Sequence, residues 1–191
     1  MAGFRTKNEG LNMFKKIILS LVIFSLSQSL LASDLEGQFV QPCQTIDDDT
    51  IQQSLIFLSS QSAARLAARL SWEISAFEDE KCQTPYLKIS RRFDVVAQSS
   101  QSVTVKTIQI AYTAVSEETA ESLNYINYCG YTDWVAGEVK DVTGRICDDY
   151  QQLKNNELKS YAILAKQSEI TWDNDKTPYI RSEVSKIETV Q

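Results

Sequence analysis

From Leu66 to Ala76 every even position is apolar (Leu66, Ala68, Leu70, Trp72, Ile74 and Ala76), with Arg69, Ser71, Glu73 and Ser75 between them. A strand sends successive side chains to opposite faces, so this alternation predicts a half-buried strand. Residues 62–70 also fit a short helix, because Ala63, Leu66, Ala67 and Leu70 recur at helical spacing. Further strands are expected over 35–40, 53–58, 86–97, 102–115, 133–142, 158–166 and 168–172, segments rich in β-branched and aromatic residues. One helix is expected over 117–128. Ser116 is its N-cap, Glu117 and Glu118 lie in its first turn, and Ala120, Leu123 and Ile126 form its apolar stripe, with Gly130 just beyond. About eight short strands and one helix describe a mainly β chain, closed as an antiparallel barrel or stacked as a sandwich. A barrel has the advantage of leaving no exposed edge.

Ahead of this pattern stands Lys15-Lys16, then the apolar run 17–26, then small polar residues. A positive start, a short apolar core and small residues at the exit are the marks of a secretory signal peptide, too short for a permanent membrane helix. The expected division is therefore a signal peptide over 1–33, with Met13 as the true start, and one domain over 34–191. Ser27-x-Ser29 is a second cleavage option. A retained membrane anchor is the competing reading, and Ser20, Ser25, Ser27, Gln28 and Ser29 weaken it. Localisation is expected to be secreted or periplasmic, with no stable membrane span once the signal is removed.

All four cysteines, Cys43, Cys82, Cys129 and Cys147, follow the leader, where disulfides form and persist. Three connectivities are open, and pairing of near neighbours, Cys43 with Cys82 and Cys129 with Cys147, is the expected one. Each loop would contribute roughly 3–4 kcal/mol in the chain-entropy model. The chain has no histidine and no Cys-x-x-Cys pair, which removes the usual zinc spacings, the thioredoxin motif and any Ser-His or Cys-His nucleophile. Glu73, Glu78 and Asp79 are close in sequence, but nothing sets two of them in one apolar cleft, so no enzymatic activity is expected. Asp47-Asp48-Asp49 lacks the alternating ligands of a calcium loop and reads as a solvated turn; no metal and no cofactor are expected. Asp148-Asp149 reads likewise, and Asp173-Asn174-Asp175 as a hairpin turn.

Removing the leader takes four basic residues and one acid from 19 basic and 25 acidic, leaving 15 against 24 and a net charge of −9. A chain so acidic repels polyanions, so no nucleic-acid partner is expected. Arg91 and Arg92 are neighbours in a strand and face opposite ways, which prevents a joint clamp on one anion.

Three blocks carry a resemblance. Leu35-Glu-Gly37-Gln-Phe39-Val-x-x-Cys43 is similar to the first strand of lipocalin-like barrels, with Phe39 in the tryptophan position. Phe77-x-Asp79-x-x-Cys82-x-x-Pro85 resembles a segment of lipocalin-like exported domains and of the APCDD family of Wnt-inhibitory ectodomains. Cys129-Gly130, Trp134-x-x-Gly137 and Asp141-Val-Thr-Gly144-x-x-Cys147 resemble the same kind of domain in bacteria. The resemblance implies a single antiparallel lipocalin-like β-barrel with an apolar interior that accepts a small hydrophobic or lipid-like ligand. Leu70, Trp72 and Ile74 from one strand, with Val105, Ile108, Ile110 and Tyr112 from another, are the expected ligand-facing residues. Trp134 and Trp172 are expected to be packed wall residues. The alternative function is a non-catalytic structural or protein-interaction module of the cell envelope with a filled core.

Overall fold

The computed structural model describes residues 35–46, 49–58, 68–99, 101–148, 150–166, 168–173 and 176–182, and among these residues twelve strands and one α-helix form. The first strands are β1 (Gly37–Val40), β2 (Gln44–Ile46), β3 (Asp49–Leu58), β4 (Arg69–Phe77), β5 (Pro85–Gln98) and β6 (Ser102–Ala114). Helix α1 (Glu117–Tyr125) and a 3-10 turn (Tyr128–Gly130) follow. Then come β7 (Val139–Asp141), β8 (Ile146–Cys147), β9 (Tyr150–Gln151), β10 (Leu158–Lys166), β11 (Glu169–Trp172) and β12 (Tyr179–Arg181). The expected signal peptide, 1–33, lies outside the described residues. So does most of the alternative helix over 62–70; Arg69 and Leu70 belong to β4.

Eight strands hydrogen-bond in the order β1-β12-β11-β10-β6-β5-β4-β3, and β3 pairs back onto β1. This antiparallel ring satisfies the edge groups that an open sheet leaves unpaired. β2 adds to β3 and β7 to β6, while β8 and β9 form a separate ribbon. Register then decides what faces inward. Phe39 lies opposite Leu55, Leu55 opposite Trp72, Trp72 opposite Arg91, and Arg91 opposite Ile110, so these five share one face.

A bulge interrupts that alternation in β6. Arg92 pairs with Gln109 and Phe93 with Thr107, leaving Ile108 as the extra residue. The inward set therefore changes from Val103, Val105 and Thr107 to Ile110, Tyr112 and Ala114, all buried. Ile108, expected to face a ligand, instead points outward and is 38% exposed. Thr107 lies fully within, its hydroxyl without a hydrogen-bond partner. Thr107→Val keeps the shape and removes an unsatisfied polar group, so it should leave stability unchanged or raise it by up to about 1 kcal/mol. The urea unfolding midpoint reads this; a clear fall would mean that the hydroxyl has a partner.

Two clusters fill the interior. The first gathers Phe39, Phe57, Phe93, Tyr161, Trp172 and Tyr179 with neighbouring aliphatics. Tyr161 and Trp172 stack at 4.7 Å between ring centroids, and Trp72 meets both edge-on, at 5.9 and 6.0 Å. The second cluster combines the ends of β4, β5 and β6 with the segment that follows β6: Ala120 and Leu123 of α1, Trp134, Val142 and the Cys129–Cys147 pair. That segment thus packs onto one end of the ring.

Local chemistry explains its path. Ser116 caps α1 by accepting the Thr119 N–H at 3.1 Å. The helix ends at Tyr125, earlier than expected, because Ile126 is its C-cap and Asn127 turns left-handed at φ 55°. Ile126 is consequently exposed, outside the buried stripe of Ala120 and Leu123. The strand expected over 133–142 shrinks to Val139–Asp141. Asn124 claims the Trp134 backbone, accepting its N–H at 2.6 Å and donating to its carbonyl at 3.0 Å. Gly137 then turns at φ 77° and bonds Ala114 O at 2.8 Å.

Cys43 is joined to Cys82, across the turn between β4 and β5, and Cys129 to Cys147, which ties the 3-10 turn to β8. Such bonds form and persist in oxidising compartments. Among the described residues no helix is long and apolar enough to cross a membrane.

Candidate functional site

Between the two clusters the ring keeps a cavity of about 180 Å3, lined by Trp72, Arg91, Ile110, Tyr150, Gln152, Leu153, Lys159, Tyr161 and Asp173. Leu153 packs against both clusters, which locates the cavity at their boundary. Exposed Tyr150 and Asp173 stand on its solvent side. β4, β5, β6 and β10 supply its walls through side chains of one inward face.

One wall is aromatic and fixed. The Trp72 indole donates to Gln53 Oε1 at 2.9 Å, and the same oxygen accepts the Tyr179 hydroxyl at 3.2 Å. Two cations stand against it. The Arg91 guanidinium carbon sits 4.8 Å from the Trp72 ring centroid, and Lys159 Nζ 5.1 Å from that of Tyr161. Gln152 donates to the Tyr112 hydroxyl at 3.1 Å, closing the cavity toward the second cluster. Burial pushes the Tyr161 phenol up to about 12 against the opposing pull of Arg91, and raises Tyr112 against the same guanidinium. Both phenols therefore stay neutral hydrogen-bonding groups near pH 7.

Of the seven ligand-facing residues read from the sequence, Trp72 and Ile110 line this cavity. Tyr112 stands behind it through Gln152. Leu70 and Val105 are packed in the first cluster, and Leu70 also borders a second hollow, described below. Ile74 is half-buried on the same face, paired with Gln53 and Ile89, and is not part of the lining. Ile108 is on the outside, where it borders a hollow of about 480 Å3 with Leu58, Arg69, Leu70, Ser71, Arg92 and Phe93. Sequence reasoning missed Arg91, Lys159 and Tyr161. Their signal was parity: Lys159, Tyr161 and Ile163 occupy alternate positions of one strand, as do Ile89, Arg91 and Phe93.

The blocks that carry the family resemblance are structural locks. Asp79 caps its loop by accepting the N–H groups of Lys81 at 2.9 Å, Gln83 at 3.0 Å and Thr84 at 2.6 Å. Desolvation works upward on its carboxyl, but the Thr84, Gln83 and Lys81 donors outweigh it and hold Asp79 below its ordinary 3.8. A folded value below the unfolded one adds stability above about pH 4 that is lost as pH falls through the folded value. Asp79→Asn should therefore flatten the acid side of the stability–pH profile, read by thermal unfolding from pH 7 to 2; a profile parallel to wild type would contradict it. Asp141 and Thr143 do similar work: the Thr143 hydroxyl donates to Asp141 Oδ1 at 2.6 Å and accepts the Ile110 N–H at 2.8 Å. That bond fixes Ile110 two residues beyond the bulge.

Among the described residues no group of three or more His, Cys, Asp or Glu side chains could hold a metal ion. Comparison with known proteins finds no matching protein-family model and no matching curated protein.

Proposed function

We propose that this chain is an exported binding protein, a lipocalin-like β-barrel that holds a small, largely apolar molecule and does no chemistry on it. It would work in an extracellular or periplasmic compartment, sequestering its ligand by burial. The observation that carries this reading is the cavity walled by Trp72, Ile110, Leu153 and Tyr161 inside the ring. Eight strands are near the number at which such an interior is either filled or holds one small ligand. A packed cluster lies on each side of it, so the space suits a compact molecule; an apolar cavity of about 150 Å3 already accepts benzene. A long acyl chain exceeds it.

Benzyl alcohol titrated into the purified, oxidised protein should change tryptophan fluorescence saturably, since Trp72 forms the wall. Ile110→Trp should abolish that response while keeping the far-UV CD spectrum, because the larger ring occupies the space. The two packed clusters also favour a second reading, a cell-envelope interaction module with a filled core. Folded wild type that takes up no small aromatic probe, neutral or anionic, would select it.

A further inference from the structure

Arg91 is an unusual residue to find on the inward face. Its Nε is buried without a hydrogen-bond partner, and among the described residues the ion pairs are Lys106–Asp94, Lys140–Asp133 and Lys140–Glu138, none of them involving Arg91 or Lys159. Its contacts are the Trp72 face and the Tyr112 hydroxyl. A guanidinium is always charged and presents five donors in a planar fork suited to a carboxylate. Leaving its buried Nε without an acceptor is costly. Lys159 adds a second positive charge to the same wall, and the single acid of the lining, Asp173, is exposed at the solvent side. The cavity thus holds two cations, one acid at its rim, and an apolar wall of Trp72, Ile110 and Leu153.

We infer that the ligand is itself an acid: a compact aromatic carboxylate whose ring lies against Trp72, Ile110 and Leu153 and whose carboxylate meets Arg91 and Lys159. This rests on the binding-protein reading and narrows its ligand class. It accounts for two features that a neutral apolar ligand leaves unexplained, the unpartnered Arg91 Nε and the inward register of Lys159. It also sets selectivity, because a neutral ring of equal size would leave the same donors unpaired.

The test compares benzoate with benzyl alcohol by calorimetric titration of the purified, oxidised protein at low and high salt. Benzoate should bind about tenfold or more tightly than benzyl alcohol, as charge-assisted hydrogen bonds require, with the margin shrinking as salt rises. Lys159→Met and Arg91→Met should each reduce that preference toward one. Should Arg91→Met fail to fold, Lys159→Met, at a half-buried position, decides; an undiminished preference there overturns the inference. Equal affinity of wild type for the two probes also overturns it and leaves the binding-protein reading standing. Binding of neither removes both.

Discussion

Trp172→Ala should cost about 3–5 kcal/mol of folding stability, the range for deleting a large aromatic from a packed interior. Trp172 is fully buried and touches Phe57, Trp72 and Tyr161, so its loss empties the centre of the first cluster. Trp172→Phe should cost less than half as much. It keeps a ring in the stack and removes an indole N–H that is buried without a partner, so part of the lost packing is offset. Urea unfolding midpoints of the three proteins measure this order. Equal losses for Phe and Ala would mean that the ring contacts do not hold the cluster together.

Removing the two disulfides should separate stability from binding. Cys43–Cys82 spans 39 residues and Cys129–Cys147 spans 18. In the chain-entropy model their losses cost about 4 and about 3 kcal/mol, respectively. The shorter loop matters more to the cavity. Cys147 anchors β8, and β8 pairs with β9, which carries Tyr150 and leads directly into Gln152 and Leu153, all three in the lining. The Cys129→Ser, Cys147→Ser double variant should therefore lose most of its probe affinity while still folding at 25 °C. The Cys43→Ser, Cys82→Ser variant should be the less stable of the two and keep its affinity when folded. Thermal unfolding and probe titration on both give the comparison. The opposite assignment would mean that the β8–β9 ribbon is not part of the site.

Much of the architecture was legible in period two. The alternation from Leu66 to Ala76 puts Leu70, Trp72, Ile74 and Ala76 on one face, as the β4 register confirms. What alternation could not show is a bulge with no glycine or proline to announce it, and Ile108 was misplaced for that reason. The segment 133–142 looked like a strand because its residues favour one. A tertiary contact, the Asn124 clasp on Trp134, overrode that preference. Charged residues were the larger omission. Arg91 and Arg92 do face opposite ways, with Arg92 outside on Gln109, but the inward one shares a cavity lining with Lys159. That pairing depends on β6 lying between β5 and β10, a nonlocal order that no spacing along the chain encodes.

The most direct measurement is a two-dimensional NMR titration that follows the side-chain N–H signals of Trp72 and Arg91 as benzoate is added. Both residues line one cavity, so their signals should move together, saturate at one equivalent and stay still in Ile110→Trp. Signals that remain fixed while benzoate shifts only surface amides would contradict a ligand site inside the ring.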